Sequence, residues 1–175
     1  MRALLVIDMQ RGLFEGAKKR FDAENVIKRI NGLIDRARKK EITIIFIRHN
    51  GPPEQGLELN SEEWQILPEL HKEPSDMTID KTCCDSFCST NLKEELDKLS
   101  VNKLIITGCC TDFCVDSTAR QATSLGYEVM VASDAHTTAD KPHLDAKIII
   151  EHHNFVWSEI YSTKAIIVRP AKDIF

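Results

Sequence analysis

Short apolar runs alternate with longer amphipathic segments along this chain. The runs are rich in branched apolar residues, which is typical of strands buried in a sheet. They predict strands at Ala3–Ile7, Ile42–Ile47, Met77–Asp80, Lys103–Thr107 and Glu128–Ala132, with a short sixth strand at Phe155–Trp157. Apolar residues at helical spacing predict helices at Ala23–Lys40, at Asn91–Leu99, from Thr111 to just before Gly126, and from about His143 to His152. Ser162 and Thr163 are residue types that begin helices, so they predict a short terminal helix.

This alternation predicts an α/β fold. Nearly continuous apolar strands separated by helices indicate a mainly parallel sheet of about six strands covered on both faces. We therefore expect one three-layer α/β/α, Rossmann-like domain over residues 1–175, with the doubly wound strand order 3-2-1-4-5-6. In such sheets ligands bind at the carboxyl ends of the strands, where the strand order reverses.

Two reactive side chains follow the strands that flank this reversal point. Asp8 ends the first strand, and Cys114 follows the fourth, at the start of a helix. Unpaired N–H groups and the helix dipole at that position favour a thiolate, so Cys114 is a candidate nucleophile and Asp8 a candidate general base. The simpler interpretations remain open, since aspartate often ends a strand and a small cysteine often packs in a turn.

Lys81 follows the third strand, roughly 10 Å from the first at normal strand spacing. A lysine there is usually solvated, but a long side chain on a returning loop can bridge that distance. It would then hold Asp8 ionised and favour the thiolate. The turn from Gly108 to Thr111 would supply backbone N–H donors for an oxyanion.

These residues lie within motifs that resemble a known family. Val6 to Gln10 (VIDMQ), Lys81 ahead of Asp85-Ser86-Phe87, and Gly108 to Val115 (GCCTDFCV) resemble the isochorismatase-like cysteine hydrolases, in family order over essentially the whole chain. That superfamily includes nicotinamidase, N-carbamoylsarcosine amidase and ureidoacrylate amidase. The resemblance implies a catalytic triad of Asp8, Lys81 and Cys114. It also implies a cis peptide between Cys109 and Cys110, with the Cys110 and Cys114 N–H groups at the oxyanion.

The sequence departs from the nicotinamidases at the site of their metal. Those enzymes bind a metal through an Asp-x-His pair after the second strand, whereas this chain reads Arg48-His49-Asn50. The resemblance therefore implies no metal and no cofactor here. His49 and His136 are instead expected to line the pocket, together with Gln10 from the first motif. The aromatic residues expected at its wall are Phe14, Trp64, Phe87, Phe113 and Trp157, although each could equally belong to the core.

Composition narrows the choice of partners. The formal net charge of −4 gives no electrostatic reason to expect binding to nucleic acid or to an anionic membrane. No apolar stretch approaches the ~20 residues that span a bilayer, and the N-terminal apolar run is too short for a signal peptide. We therefore expect a cytoplasmic enzyme with six reduced cysteines that acts on a small molecule. The family resemblance also implies a homo-oligomer.

Four functions remain open from the sequence. The first is a cysteine hydrolase that cleaves a small amide or related C–N bond through a thioester on Cys114. The second is an isochorismatase-type vinyl ether hydrolase with Asp8 as the acid. The third is a thiol-based zinc or redox protein that uses Cys84, Cys88, Cys110 and Cys114. The fourth is a catalytically silent binding module.

Overall fold

The computed structural model describes residues 1–16, 18–162 and 164–175. Six strands form one sheet in the order β3-β2-β1-β4-β5-β6, and all neighbouring pairs are parallel. The strands are β1 (Arg2–Ile7), β2 (Thr43–His49), β3 (Met77–Lys81), β4 (Lys103–Cys109), β5 (Glu128–Thr137) and β6 (Ile167–Arg169). The α-helices are α1 (Arg11–Phe14), α2 (Ala23–Lys39), α3 (Leu92–Lys98), α4 (Asp116–Ser124) and α5 (Ala146–Glu159). The predicted α/β fold and strand order are confirmed.

Alternation along the strands sends successive side chains to opposite faces of the sheet, and each face has its own core. On one face Leu5 and Ile7 of β1 pack with apolar residues of α3, α4 and α5. On the other face Leu4 and Val6 pack against α2 and the C-terminal segment. Because both faces of β1 are covered, the strand is apolar from Ala3 to Ile7, and Asp8 is the first polar residue after this run, at the carboxyl edge.

The prediction of a sixth strand at Phe155–Trp157 was wrong. These residues belong to α5, where Ile149 and Trp157 are buried on one face and Phe155 is exposed. Eight residues separate Ile149 from Trp157, which places them on one side of a helix but gives no strand pattern. The sixth strand is instead Ile167–Arg169, which pairs with β5.

The predicted terminal helix is also absent from the described residues. Thr163, one of the two residues that predicted it, lies outside the described part of the chain. After it come β6 and a single 3₁₀ turn at Ala171–Asp173. The other short helices are α1, within the segment predicted to be a loop, and a 3₁₀ turn at Pro53–Gln55. Within the described ranges, every helix is too short or too polar to cross a bilayer.

Candidate active site

Asp8 lies at the carboxyl end of β1, where the backbone leaves the sheet. Its φ of 49° is in the left-handed region, which a residue other than glycine rarely adopts. The neighbouring residue on β4, Gly108, allows this close packing. Its own φ is +121°, and a Cβ there would lie 2.1 Å from the carbonyl oxygen of Ile7. The two strands therefore hold the Asp8 side chain, 1% exposed, at the reversal point of the sheet.

Lys81 ends β3 and extends its side chain back to β1. Its Nζ donates to Asp8 Oδ2 at 2.7 Å and to the Cys83 carbonyl oxygen at 3.0 Å. It also lies 3.2 Å from Cys114 Sγ and 3.3 Å from His49 Nδ1. The ammonium group is thus the common neighbour of the carboxylate and the thiol, and the three side chains that the sequence singled out meet in one buried cluster.

Cys114 lies in a π-helical turn, Thr111–Val115, that precedes α4. Thr111 and Asp112 are residue types that often cap helices, but here Cys110 occupies the N-cap position, without a side-chain cap. The Thr111 hydroxyl instead contacts His136, and Asp112 accepts a hydrogen bond from the Thr138 hydroxyl at 2.6 Å. These contacts fix the turn to β5 and its following loop.

The peptide bond between Cys109 and Cys110 is cis, and it lies at the end of β4. Cys109 is buried in the core on the α2 side of the sheet, and the two sulfur atoms are 3.0 Å apart. The carbonyl oxygen of Cys110 accepts from the N–H groups of Phe113 and Val115, which closes the turn that holds Cys114.

Burial controls the electrostatics of the cluster. It raises the pKa of the Asp8 carboxyl above its ordinary value, although the Lys81 ammonium opposes the shift. Burial and the nearby Asp8 carboxylate also raise the pKa of the Cys114 thiol, which outweighs the attraction of Lys81. The sequence led us to expect a thiolate at a helix N-terminus. The structure instead favours a resting state with a neutral thiol beside an Asp8–Lys81 ion pair.

His49, Gln10 and Trp64 form one wall beside the cluster. The Gln10 side chain is buried, donates to the carbonyl oxygens of His49 and Trp64, and accepts from the His49 N–H at 2.8 Å. Burial and the Lys81 charge lower the pKa of His49, so its imidazole is neutral at pH 7. The Trp64 indole N–H donates to Asn50, and Arg48 stacks on its ring at 3.6 Å. Gln10 thus holds together the loops around the cluster.

Four other residues expected at the pocket pack into the protein. His136 is 1% exposed, and its ring nitrogens contact Thr111 Oγ1 and Asn154 Oδ1. Phe87 stacks on Tyr127 in the core on the α3 side, and Phe14 packs against the core on the α2 side. Trp157 is fully buried, and its indole N–H donates to Asp116. Neither hydrophobic periodicity nor a sequence motif shows whether a side chain points into a pocket or into the core.

Phe113 is half-exposed and lines a cavity of about 490 Å³ next to Cys110. Arg20 and Lys141 line the same cavity, and neither was singled out from the sequence. Arg20 lies in a polar loop, where a single arginine carries no pattern. Within the described parts of the chain, no three or more His, Cys, Asp or Glu side chains are grouped so that they could hold a metal ion.

The fold and this cluster define a class: a three-layer α/β protein with a carboxylate, an ammonium and a thiol buried together at the carboxyl edge of its sheet. A family model described as the isochorismatase domain matches residues 2–157. The chain therefore belongs to the isochorismatase family.

Three relatives show how this chain compares with known members. Streptothricin hydrolase from Streptomyces noursei is 32% identical over 142 residues, which cover 81% of this chain and 51% of that protein. The chain thus matches only about half the length of that relative. Nicotinamidase 3 from Arabidopsis thaliana is 28% identical, over 84% of this chain and 78% of that protein. A crystal structure of an isochorismatase family protein superposes with a TM-score of 0.88 and 34% identity, over 95% of this chain and 96% of that one.

Proposed function

We propose that this protein is a hydrolase that cleaves the C–N bond of a small amide through a thioester on Cys114. The observation that carries the proposal is the position of Lys81 Nζ, 2.7 Å from the Asp8 carboxylate and 3.2 Å from the Cys114 sulfur. The names of two relatives, a nicotinamidase and a streptothricin hydrolase, support hydrolysis as the chemistry and an amide as the substrate class.

Asp8 acts as the general base in the first step. Its Oδ1 atom is buried and lacks a well-formed hydrogen bond among the described residues, so it can take a proton. The Cys114 thiol transfers its proton to Asp8 while the sulfur attacks the amide carbon. Lys81 stays protonated, so the total charge of the cluster does not change as the thiolate forms. A raised carboxyl pKa makes Asp8 a stronger base for this transfer.

The oxyanion of the tetrahedral intermediate is held by backbone N–H groups of Cys110 and Cys114. The Cys110 N–H belongs to the cis peptide that ends β4, directly before the turn that holds Cys114, which supports this role. Asp8 then gives its proton to the departing nitrogen, which leaves as an amine or ammonia. A water molecule, deprotonated by Asp8, attacks the thioester, releases the acid and restores the thiol.

A vinyl ether hydrolysis with Asp8 as a general acid is the second candidate, and the raised pKa of Asp8 favours it. That reaction does not need the sulfur atom. The contact between Lys81 and Cys114 supports the thioester route, because an ammonium at this distance stabilises a thiolate more than it stabilises a thiol.

The test is ammonia release from a panel of primary amides by the purified protein. Replacement Cys114→Ala should abolish turnover, and intact-protein mass spectrometry should detect an acyl adduct on the wild type only. The matched control is Cys88→Ala under reducing conditions, because the Cys88 thiol contacts Cys83 and Ser89 outside the cluster and should not affect turnover. Full amide turnover by Cys114→Ala would reject the thioester. Cleavage of a small vinyl ether by that variant would support the acid mechanism.

A further inference from the structure

The cavity beside Cys110 carries positive charge at its wall that no acidic side chain of the wall balances. Its walls include Lys18, Arg20, Cys110, Phe113, Lys141 and Pro142. Lys141 pairs with Asp112 at 3.0 Å, so its charge is balanced. Asp140, also at the wall, accepts from the Ala146 N–H at the start of α5 and is likewise engaged. The remaining charges of the wall are both positive.

Arg20 is the better fixed of these two cations. Its Nε donates to the Leu13 carbonyl oxygen at 2.7 Å, which orients the guanidinium while leaving the other nitrogens free to donate. Among the described residues, no carboxylate lies within ion-pair distance of Arg20 or Lys18. Both residues also border a second cavity with three acidic side chains: Glu15, which pairs with Arg11, and Glu54 and Glu63, which are likewise beyond ion-pair distance of Arg20 and Lys18.

A half-buried guanidinium without an acidic partner loses hydration and gains no ion pair in return. A planar carboxylate would compensate for the lost hydration by accepting two parallel hydrogen bonds from the guanidinium. Resting on the function proposed above, we propose that the substrate is an anionic amide whose carboxylate binds Arg20, with Lys18 adding long-range attraction.

The location of Arg20 links this anion site to the reaction centre. The pKa of the Cys110 thiol is lowered by its contact with Cys109 and, against burial, by the charge of Arg20. Cys110 lines the same cavity as Arg20, and its carbonyl oxygen accepts from the Phe113 and Val115 N–H groups on either side of Cys114. A substrate whose carboxylate binds Arg20 can therefore place a carbonyl near the Cys110 N–H. The exposed ring of Phe113 and Pro142 supply apolar contact for the linking carbons.

Succinamate and butyramide test this inference, because they have the same chain length and only the first carries a carboxylate. The wild type should show a kcat/KM at least about tenfold higher for succinamate, as expected for a charged hydrogen-bonding pair. Replacement Arg20→Gln should remove that preference through KM and leave butyramide turnover within about twofold. The control Arg169→Gln lies on β6 and should change neither value.

A binding measurement separates this inference from the proposed function. Calorimetric titration of Cys114→Ala with succinamate should show binding that Arg20→Gln, added to that variant, weakens at least about tenfold. Binding of this kind without turnover by the wild type would reject the amidase proposal and leave the anion site standing. Equal binding of the two amides, or equal loss of both in Arg20→Gln, would overturn the anion site.

A second, independent feature is the pair Cys83 and Cys88 in the loop after β3. Their sulfur atoms are 2.7 Å apart, and both side chains are partly accessible. The carbonyl oxygen of Cys83 accepts the hydrogen bond from Lys81 Nζ described above. No step of the hydrolysis uses either thiol.

From this geometry we infer that Cys83 and Cys88 form a reversible disulfide under peroxide. Hydrogen peroxide oxidises one thiol to a sulfenic acid and releases water. The second sulfur then attacks the first, which forms the S–S bond and releases a second water. Because the bond would move the Cys83 carbonyl that Lys81 binds, the oxidised enzyme should have a lower kcat than the reduced one.

Intact mass measurement tests this pair apart from activity. Cys114→Ala treated with hydrogen peroxide should lose the mass of two hydrogen atoms, and peptide mapping should join Cys83 to Cys88. A thiol reductant should restore the mass. Cys88→Ser should not show this loss, whereas Cys84→Ser should show it unchanged. A bond that maps to Cys109 and Cys110, or an unchanged mass, would overturn the inference.

Discussion

Lys81 Nζ lies 2.7 Å from Asp8 Oδ2, and both side chains are almost completely shielded from solvent. Asp8 follows β1 and Lys81 ends β3, and these two strands do not touch because β2 lies between them. The lysine side chain crosses the end of β2 to reach the carboxylate. This ion pair sets the charge at the reversal point of the sheet, and the predictions for Lys81 and Asp8 follow from it.

Loss of Lys81 should cost stability. Lys81→Met leaves the Asp8 carboxylate buried without its cation, which typically costs about 3–5 kcal/mol. We expect urea denaturation to show a loss of this size. The double variant Asp8→Asn/Lys81→Met should be more stable than Lys81→Met alone, because no unpaired charge remains. If the double variant were as unstable as the sum of the two single variants, the ion pair would not be the cause.

Asp8→Asn should separate thiol reactivity from catalysis. The Asp8 charge raises the pKa of the Cys114 thiol and Lys81 lowers it, so removal of the carboxylate should lower that pKa. We expect faster alkylation of Cys114 by iodoacetamide at pH 7, measured by mass spectrometry. Amide turnover should nevertheless fall by about a hundredfold or more, because no group remains to carry the proton.

The control for this variant is Asp97→Asn, which removes an exposed carboxylate paired with Lys93. It should alter neither the alkylation rate nor turnover. Slower alkylation of Cys114 in Asp8→Asn would show that Asp8 does not oppose the thiolate in the resting enzyme.

Activity should depend on pH through Asp8. The carboxylate must be ionised to accept the thiol proton, and burial places its pKa above the ordinary value. The rate kcat/KM should therefore decrease as the pH falls through that raised pKa, and it should not decrease on raising the pH from there to neutrality. A profile of kcat/KM against pH measures this limb. If kcat/KM instead decreased only around the ordinary aspartate pKa, burial would not raise the pKa of Asp8.

His136 should make stability depend on pH. Burial lowers its pKa to about 4 in the folded protein, whereas the unfolded value is about 6.5. The unfolded chain binds more protons between these values, so stability is full above pH 6.5 and decreases as the pH falls toward 4. Urea denaturation over this range should show up to about 3 kcal/mol of loss from this group. The variant His136→Gln should have a flatter profile; an equal slope would assign the effect to other groups.

Gly108→Ala tests the close contact between β1 and β4. The added Cβ would lie 2.1 Å from the Ile7 carbonyl oxygen, and the residue would have to keep a positive φ. We therefore expect the free energy of unfolding to fall by more than about 2 kcal/mol. Gly126 is the matched control, because its φ is +88° but no atom lies within 4 Å of its Cβ position. Gly126→Ala should therefore lower the free energy of unfolding only by the strain of a positive φ, about 1 kcal/mol. Equal losses in chemical denaturation would exclude a steric contact at Gly108.

The sequence by itself determined the parallel α/β architecture and the chemical types at the candidate site, whereas the strand order was assumed from the doubly wound fold and is confirmed by the structure. Apolar runs identify buried strands because both faces of a parallel sheet exclude water. The carboxyl ends of such strands share one edge, so Asp8, Lys81 and Cys114 could be placed together before any distance was known. The sixth strand was misplaced because Phe155 and Trp157 are as common in strands as in the helix where they lie.

Only the tertiary structure decided how charged and how accessible these groups are. Desolvation depends on every atom packed around a side chain, so the raised pKa of the Cys114 thiol could not be read from its place near a helix N-terminus. The predicted strand ended at Ala132, before His136, but β5 continues to Thr137, and His136 within it contacts Thr111 and Asn154 inside the protein. Arg20 gave no signal at all in the sequence, because the absence of an acidic partner is a property of the folded surroundings.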